Sequence, residues 1–93
     1  MIMKKIMLDC SRLKERAAMR DYMAGLFGFS EEDGFTGNLD QLNDLLSEVT
    51  EDICICISID GFLTAAGASF SWTVLRILML GAGGNPHITI SLV

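Results

Sequence analysis

The sequence predicts an α/β domain: a three-stranded parallel sheet packed with three to four helices. Three observations carry this. Ile53 to Ile59 reads I-C-I-C-I-S-I, a continuous β-branched and apolar run of the kind a strand covered on both faces requires. Two further short apolar runs, residues 2–8 and His87 to Leu92, also read as strands. Helical periodicity fills the segments between the three runs, the alternation expected of βαβ units. Ninety-three residues make one domain, 1–93, and 51% hydrophobic residues can furnish its core.

The elements follow in order. Residues 2–8 are apolar with Lys4 and Lys5 inset, a first strand. From Ser11 the pattern turns helical. Met19, Tyr22, Met23, Leu26 and Phe27 recur at i, i+3, i+4, i+7 and i+8. Gly28 stands where a helix ends. Arg12, Lys14, Arg16 and Arg20 make the first turns basic. Ser30 to Gly37 reads as an acidic loop, with Glu31, Glu32, Asp33 and two glycines breaking the periodicity. After the central strand Asp60-Gly61 turns the chain, and Phe62 to Ala68 has room for a short helical turn. Phe70 to Leu80 is a helix apolar nearly all round, stopped by Gly81, Gly83, Gly84, Asn85 and Pro86.

The segment with most to say about function is Asn38 to Val49. Leu39, Leu42, Leu45, Leu46 and Val49 fall on one side of a helix, and Asp40, Asp44 and Glu48 on the other. Asn38 is a good N-cap, and Gln41 three residues on completes a capping box. Like charges four apart cost a helix roughly 0.2–0.5 kcal/mol per pair, and no Lys or Arg lies nearby in sequence to offset it. Two readings follow: a solvated acidic face, or a surface that receives a cationic partner.

Charge distribution favours a partner of that kind. Residues 1–20 hold six basic and two acidic side chains, whereas residues 21–75 hold ten acidic ones and no Lys or Arg. The net charge of −5 argues against nucleic-acid binding through phosphates, while the acidic middle can steer a basic protein. Cys10, Cys54 and Cys56 match no zinc spacing and read as reduced thiols, as in a reducing cytoplasm. The N-terminal apolar run is too short for a signal peptide. Gly61 to Gly84 carries Arg76 mid-segment and is diluted by Gly, Ser and Thr, which argues against a membrane span. There is no phosphate loop, and His87 reads as structural or simply exposed. Asp40 and Asp44 on one open face have nothing to desolvate them for acid–base work. The expectation is a non-enzyme without cofactor or metal.

Gly37-Asn38-Leu39-Asp40-Gln41-Leu42-Asn43-Asp44-Leu45-Leu46 resembles the signature helix of the barstar family of ribonuclease inhibitors, commonly N-L-D-A-L-x-D-x-L. Phe27-Gly28-Phe29-Ser30 is similar to the family's L-G-F-P helix exit. Val74-Leu75 and Ile88 to Leu92 are similar to its last helix and strand. The resemblance implies a barstar-like fold in βααβαβ-like order and a cytoplasmic, immunity-type inhibitor whose acidic helix and preceding loop plug a nuclease site. It implies that Asp44 takes the nuclease's phosphate site, that Asp40 is the second acidic contact, and that Asn38 is the capping contact. Asn43, Ser47 and Glu48 fall at neighbouring contact positions, with Phe35 and Gly34 on the loop. The chain also departs from the pattern. Gly34-Phe35-Thr36-Gly37 replaces a Tyr-Tyr-Gly-like run, Asn43 replaces an aromatic, and Leu80 stands where a further acidic contact can lie.

The leading expectation is therefore an inhibitor of a basic ribonuclease or nuclease toxin. The alternative is a non-inhibitory interaction module on the same scaffold, dimerising through Phe70–Leu80, whose apolar residues exceed what one packed face uses.

Overall fold

The computed structural model describes residues 3–29 and 34–93. Ile2 of the first strand and Ser30 to Asp33 of the acidic loop lie outside the described residues. Three strands, β1 (Lys4–Leu8), β2 (Ile53–Ile57) and β3 (Ile88–Leu92), and four helices, α1 (Arg16–Phe27), α2 (Leu39–Ser47), α3 (Ile59–Ala66) and α4 (Ser69–Gly84), follow in the order βααβααβ. The sheet is parallel throughout with order β1-β2-β3, and β2 is central. The expected α/β fold is thus present.

Sequential parallel order with right-handed crossovers puts every connection on the same side of a sheet. The core agrees. Ile6 and Leu8, Ile53, Ile55 and Ile57, and Ile88 join Met19, Met23, Leu42, Leu46, Val74, Leu75 and Leu78 in one buried cluster. Cys54 and Cys56 are buried but stand outside that cluster, on the opposite face. There they lie in register between Lys5 and Met7 on one side and Thr89 and Ser91 on the other. Lys5, Met7 and Thr89 are exposed. The expectation that β2 is buried on both faces holds for all five of its residues. Its second face is shielded only by neighbouring strands, and no helix among the described residues lies over it.

Local chemistry sets the boundaries. Asp9 accepts from the Ser11 N–H at 3.0 Å and caps a short 3-10 turn, Cys10–Leu13. The first long helix therefore begins at Arg16, not Ser11, and Arg12 and Lys14 precede it. Met19 and Met23 are its buried stripe, and Gly28 ends it in the left-handed region at φ 70°. Asp60-Gly61 does not turn the chain. Ser58 caps α3 by accepting from the Gly61 N–H at 3.0 Å, so the expected short turn in Phe62 to Ala68 is the second part of a helix that ends at Ala66. Helix α4 runs through three of its supposed stop residues to Gly84. Glycine costs a helix about 1 kcal/mol each, and here packing outweighs that cost. A Cβ on Gly81 would stand 3.0 Å from Leu46 Cδ1, so the bare backbone lets α2 lie close against α4.

Part of the apolar excess of α4 is used internally. Phe62 of α3 meets Trp72 edge-on at 5.8 Å, and Phe70, Trp72 and Ile77 pack against the core. Leu80 is 64% exposed. No helix among the described residues is long and apolar enough to cross a membrane. The half-buried His87 holds Asp52 at 2.8 Å, joining the entries of β2 and β3, which is a structural role.

Candidate partner-binding helix

Helix α2 is fixed at both ends and along one side. At its start Asn38 Oδ1 accepts from the N–H groups of Asp40 at 2.8 Å and Gln41 at 3.2 Å, as the sequence predicts. The second half of the expected capping box differs. Gln41 Oε1 accepts from the Thr36 N–H at 3.0 Å, and its Nε2 donates to the Gly34 carbonyl at 2.8 Å. Gln41 thus ties the preceding loop to the helix. Gly37 brings that loop across α1 at φ 89°, where a Cβ would meet Arg16 Cγ at 2.8 Å. Positive φ and the close approach together leave room only for glycine.

Leu42 and Leu46 are fully buried, and Leu39, Leu45 and Val49 partly so. At the far end the buried Asn85 donates through Nδ2 to the carbonyls of Leu46 and Val49, both at 2.9 Å, while its Oδ1 accepts from the His87 N–H. One side chain thus ties the end of α2 and the turn after it to the entry of β3, 36 and 39 residues away in sequence. Sequence reasoning took Asn85 only as a helix stop. The signal available was a polar side chain in a run otherwise made of glycine and proline.

The solvent side carries the candidate contacts. Asn38, Asp40, Asn43, Asp44 and Ser47 are all exposed. Asp40 and Asp44 lie one turn apart, with Cβ atoms about 5–6 Å from one another by helix geometry. The helix ends at Ser47, and Glu48 is its exposed C-cap, still in the right-handed helical region. Among the described residues the ion pairs are Arg12–Asp9 and Arg20–Asp21, and Asp52 is taken up by the His87 ring nitrogen. None involves Asp40, Asp44 or Glu48. On the loop Gly34 is exposed, whereas Phe35 is half-buried and packs edge-on against Phe29 at 5.5 Å. Phe29 in turn stacks on Phe27 at 5.5 Å. Part of Phe35 is therefore committed to holding the loop. Beside the end of α2 a cavity of about 270 Å³ opens between Phe27, Phe29, Leu45, Val49, Glu48 and Glu51.

Asp40 and Asp44 thus stand exposed on a helix held at both ends, and neither lines this cavity. The chain matches no family model and no curated relative.

Proposed function

We propose that the protein is an immunity-type inhibitor that closes a basic ribonuclease site with α2 and the loop before it. One observation carries the reading. Asp40 and Asp44 are exposed, one turn apart and outside every described ion pair, on a helix whose other sides are all held. A preorganised carboxylate pair can occupy positions that Arg and Lys side chains have prepared for phosphates. The resemblance to the barstar family supplies the kind of target, and a cytoplasmic location goes with it. The contacts assigned are Asp40 and Asp44 at the centre, with Asn38, Asn43, Ser47, Glu48, Gly34 and Phe35 around them.

The test is stoichiometric inhibition. Small basic ribonucleases captured at low salt from the source cells and their medium are assayed for RNA cleavage with increasing protein. Cleavage should fall to zero near one equivalent and be unaffected by the Asp40→Ala/Asp44→Ala variant. Equal inhibition by the double variant, or none by the native chain, would overturn the proposal.

A second reading is self-association. Leu80 is 64% and Leu92 53% exposed, and an apolar cavity of about 510 Å³ opens between α4 and β3, lined by Phe62, Met79 and Leu92 among others. Sedimentation at rising concentration decides it. A concentration-dependent dimer lost in Leu80→Glu supports it, and a monomer at every concentration rejects it.

A further inference from the structure

The inhibitor reading makes no use of Cys54 and Cys56, and all three cysteines are free. The two thiols lie buried on the face of β2 away from the helices, with their Sγ atoms 3.9 Å apart. Residues two apart on a strand are separated by about 6.6 Å, near the upper limit of disulfide Cα distances. An ion inserted between the sulfurs fits this pair better than a direct bond. Metal–thiolate bonds are about 2.3 Å long, so three sulfurs in a trigonal plane around one ion stand about 4.0 Å apart. Cys54 and Cys56 already hold one edge of that triangle. Met7 stands beside Cys56 in register on the same face, and is 64% exposed. Its thioether is soft and swings on three rotatable bonds.

We infer that Cys54, Cys56 and Met7 form a binding site for monovalent copper on the uncovered face of the sheet. Thiolate and thioether ligands together select Cu(I). Structural zinc would ask for four ligands, and among the described residues no group of three or more His, Cys, Asp or Glu is placed to share an ion. Two thiolates and one monovalent ion carry a net charge of −1, and Lys5 lies in register beside Cys54. Loading proceeds by exchange: two thiols and one Cu(I) give the dithiolate complex and two protons, with no change of oxidation state.

The reduced full chain is titrated anaerobically with Cu(I) in competition with bicinchoninate, followed by alkylation and mass spectrometry. The wild-type chain should take one ion, release two protons and lose alkylation at both Cys54 and Cys56. Cys54→Ser and Cys56→Ser should each abolish the competition, Met7→Leu should weaken it, and Cys10→Ser should leave it unchanged. The protection experiment needs no variant, so a misfolded serine mutant cannot decide the question alone. Copper left on bicinchoninate, unaltered alkylation after one equivalent, one ion per two chains, or loss of binding in Cys10→Ser would overturn the inference.

Discussion

At Asp44 and Glu51 the chain offers two exposed carboxylates with different surroundings. Asp44 stands on the outer face of a held helix, while Glu51 lies in the connection after it. Truncating one partner of a charge pair buried in a complex costs about 2–5 kcal/mol, whereas rim charges contribute little. On the proposed inhibitor function, Asp44→Ala should therefore raise the Kd for a captured basic nuclease far more than Glu51→Ala does, as read by calorimetric titration; equal small losses would defeat the assignment. Asp9 is predictable in another way. The Ser11 hydroxyl and N–H both donate to its carboxylate, and these bonds hold its pKa below the ordinary carboxylate range. A depressed folded pKa means the contribution to stability is present above the unfolded value and is lost as pH falls through the folded one. An NMR titration should show the Asp9 midpoint below that of unfolded aspartate, and Ser11→Ala should move it back up.

The helices show where periodicity informs and where it stops. The stripes Met19/Met23 and Leu42/Leu46 were legible because burial follows the 3.6-residue repeat. The continuation of α4 past Gly81 was not, since it depends on Leu46 lying against that glycine from a distant part of the chain. Gly81→Ala should accordingly destabilise the fold by about 1–3 kcal/mol through overpacking. Gly83→Ala has open space around its Cβ and should be neutral or stabilising by up to about 1 kcal/mol. Urea unfolding of the two variants makes the comparison. Asn85 was illegible for the same reason as Gly81, because its partners are the Leu46 and Val49 carbonyls. Asn85→Ala should take these bonds from the Val49 carbonyl and the His87 N–H and cost about 1–3 kcal/mol in the same assay. Gln41 sits where a capping box predicts it, yet the loop N–H of Thr36 takes its oxygen.

For the whole molecule, the alternation of apolar runs with helical segments was enough to read the parallel sheet. It was not enough to show that the sheet is covered on one face only. A strand of five buried residues looks the same whether a helix or its neighbours do the shielding, and in β2 isoleucines meet the helices while cysteines lie between flanking strands. The exposed carboxylates of α2 were legible from spacing; the loop that accompanies them was less so, because Phe35 turns partly inward onto Phe29. Charge acts at this largest scale. With a net charge of −5 and its acidic residues concentrated after residue 20, the protein should associate with a basic nuclease more slowly as salt rises. The Debye length falls from about 30 Å at 0.01 M to about 10 Å at 0.1 M ionic strength. Stopped-flow association rates should drop steeply across that range while dissociation rates change little.

Helix α2 keeps most of its fastenings and its outward side chains on different residues. Asn38 and Gln41, the leucines beneath and the distant Asn85 hold the rod, and Ser47 donates to the Asp44 carbonyl. The Asp40, Asn43 and Asp44 side chains are exposed and make no side-chain bond among the described residues. If the helix is the inhibitory surface proposed above, its specificity can be recoded at those three positions with little cost to the scaffold, and a library randomised at the same three codons should yield mostly folded members.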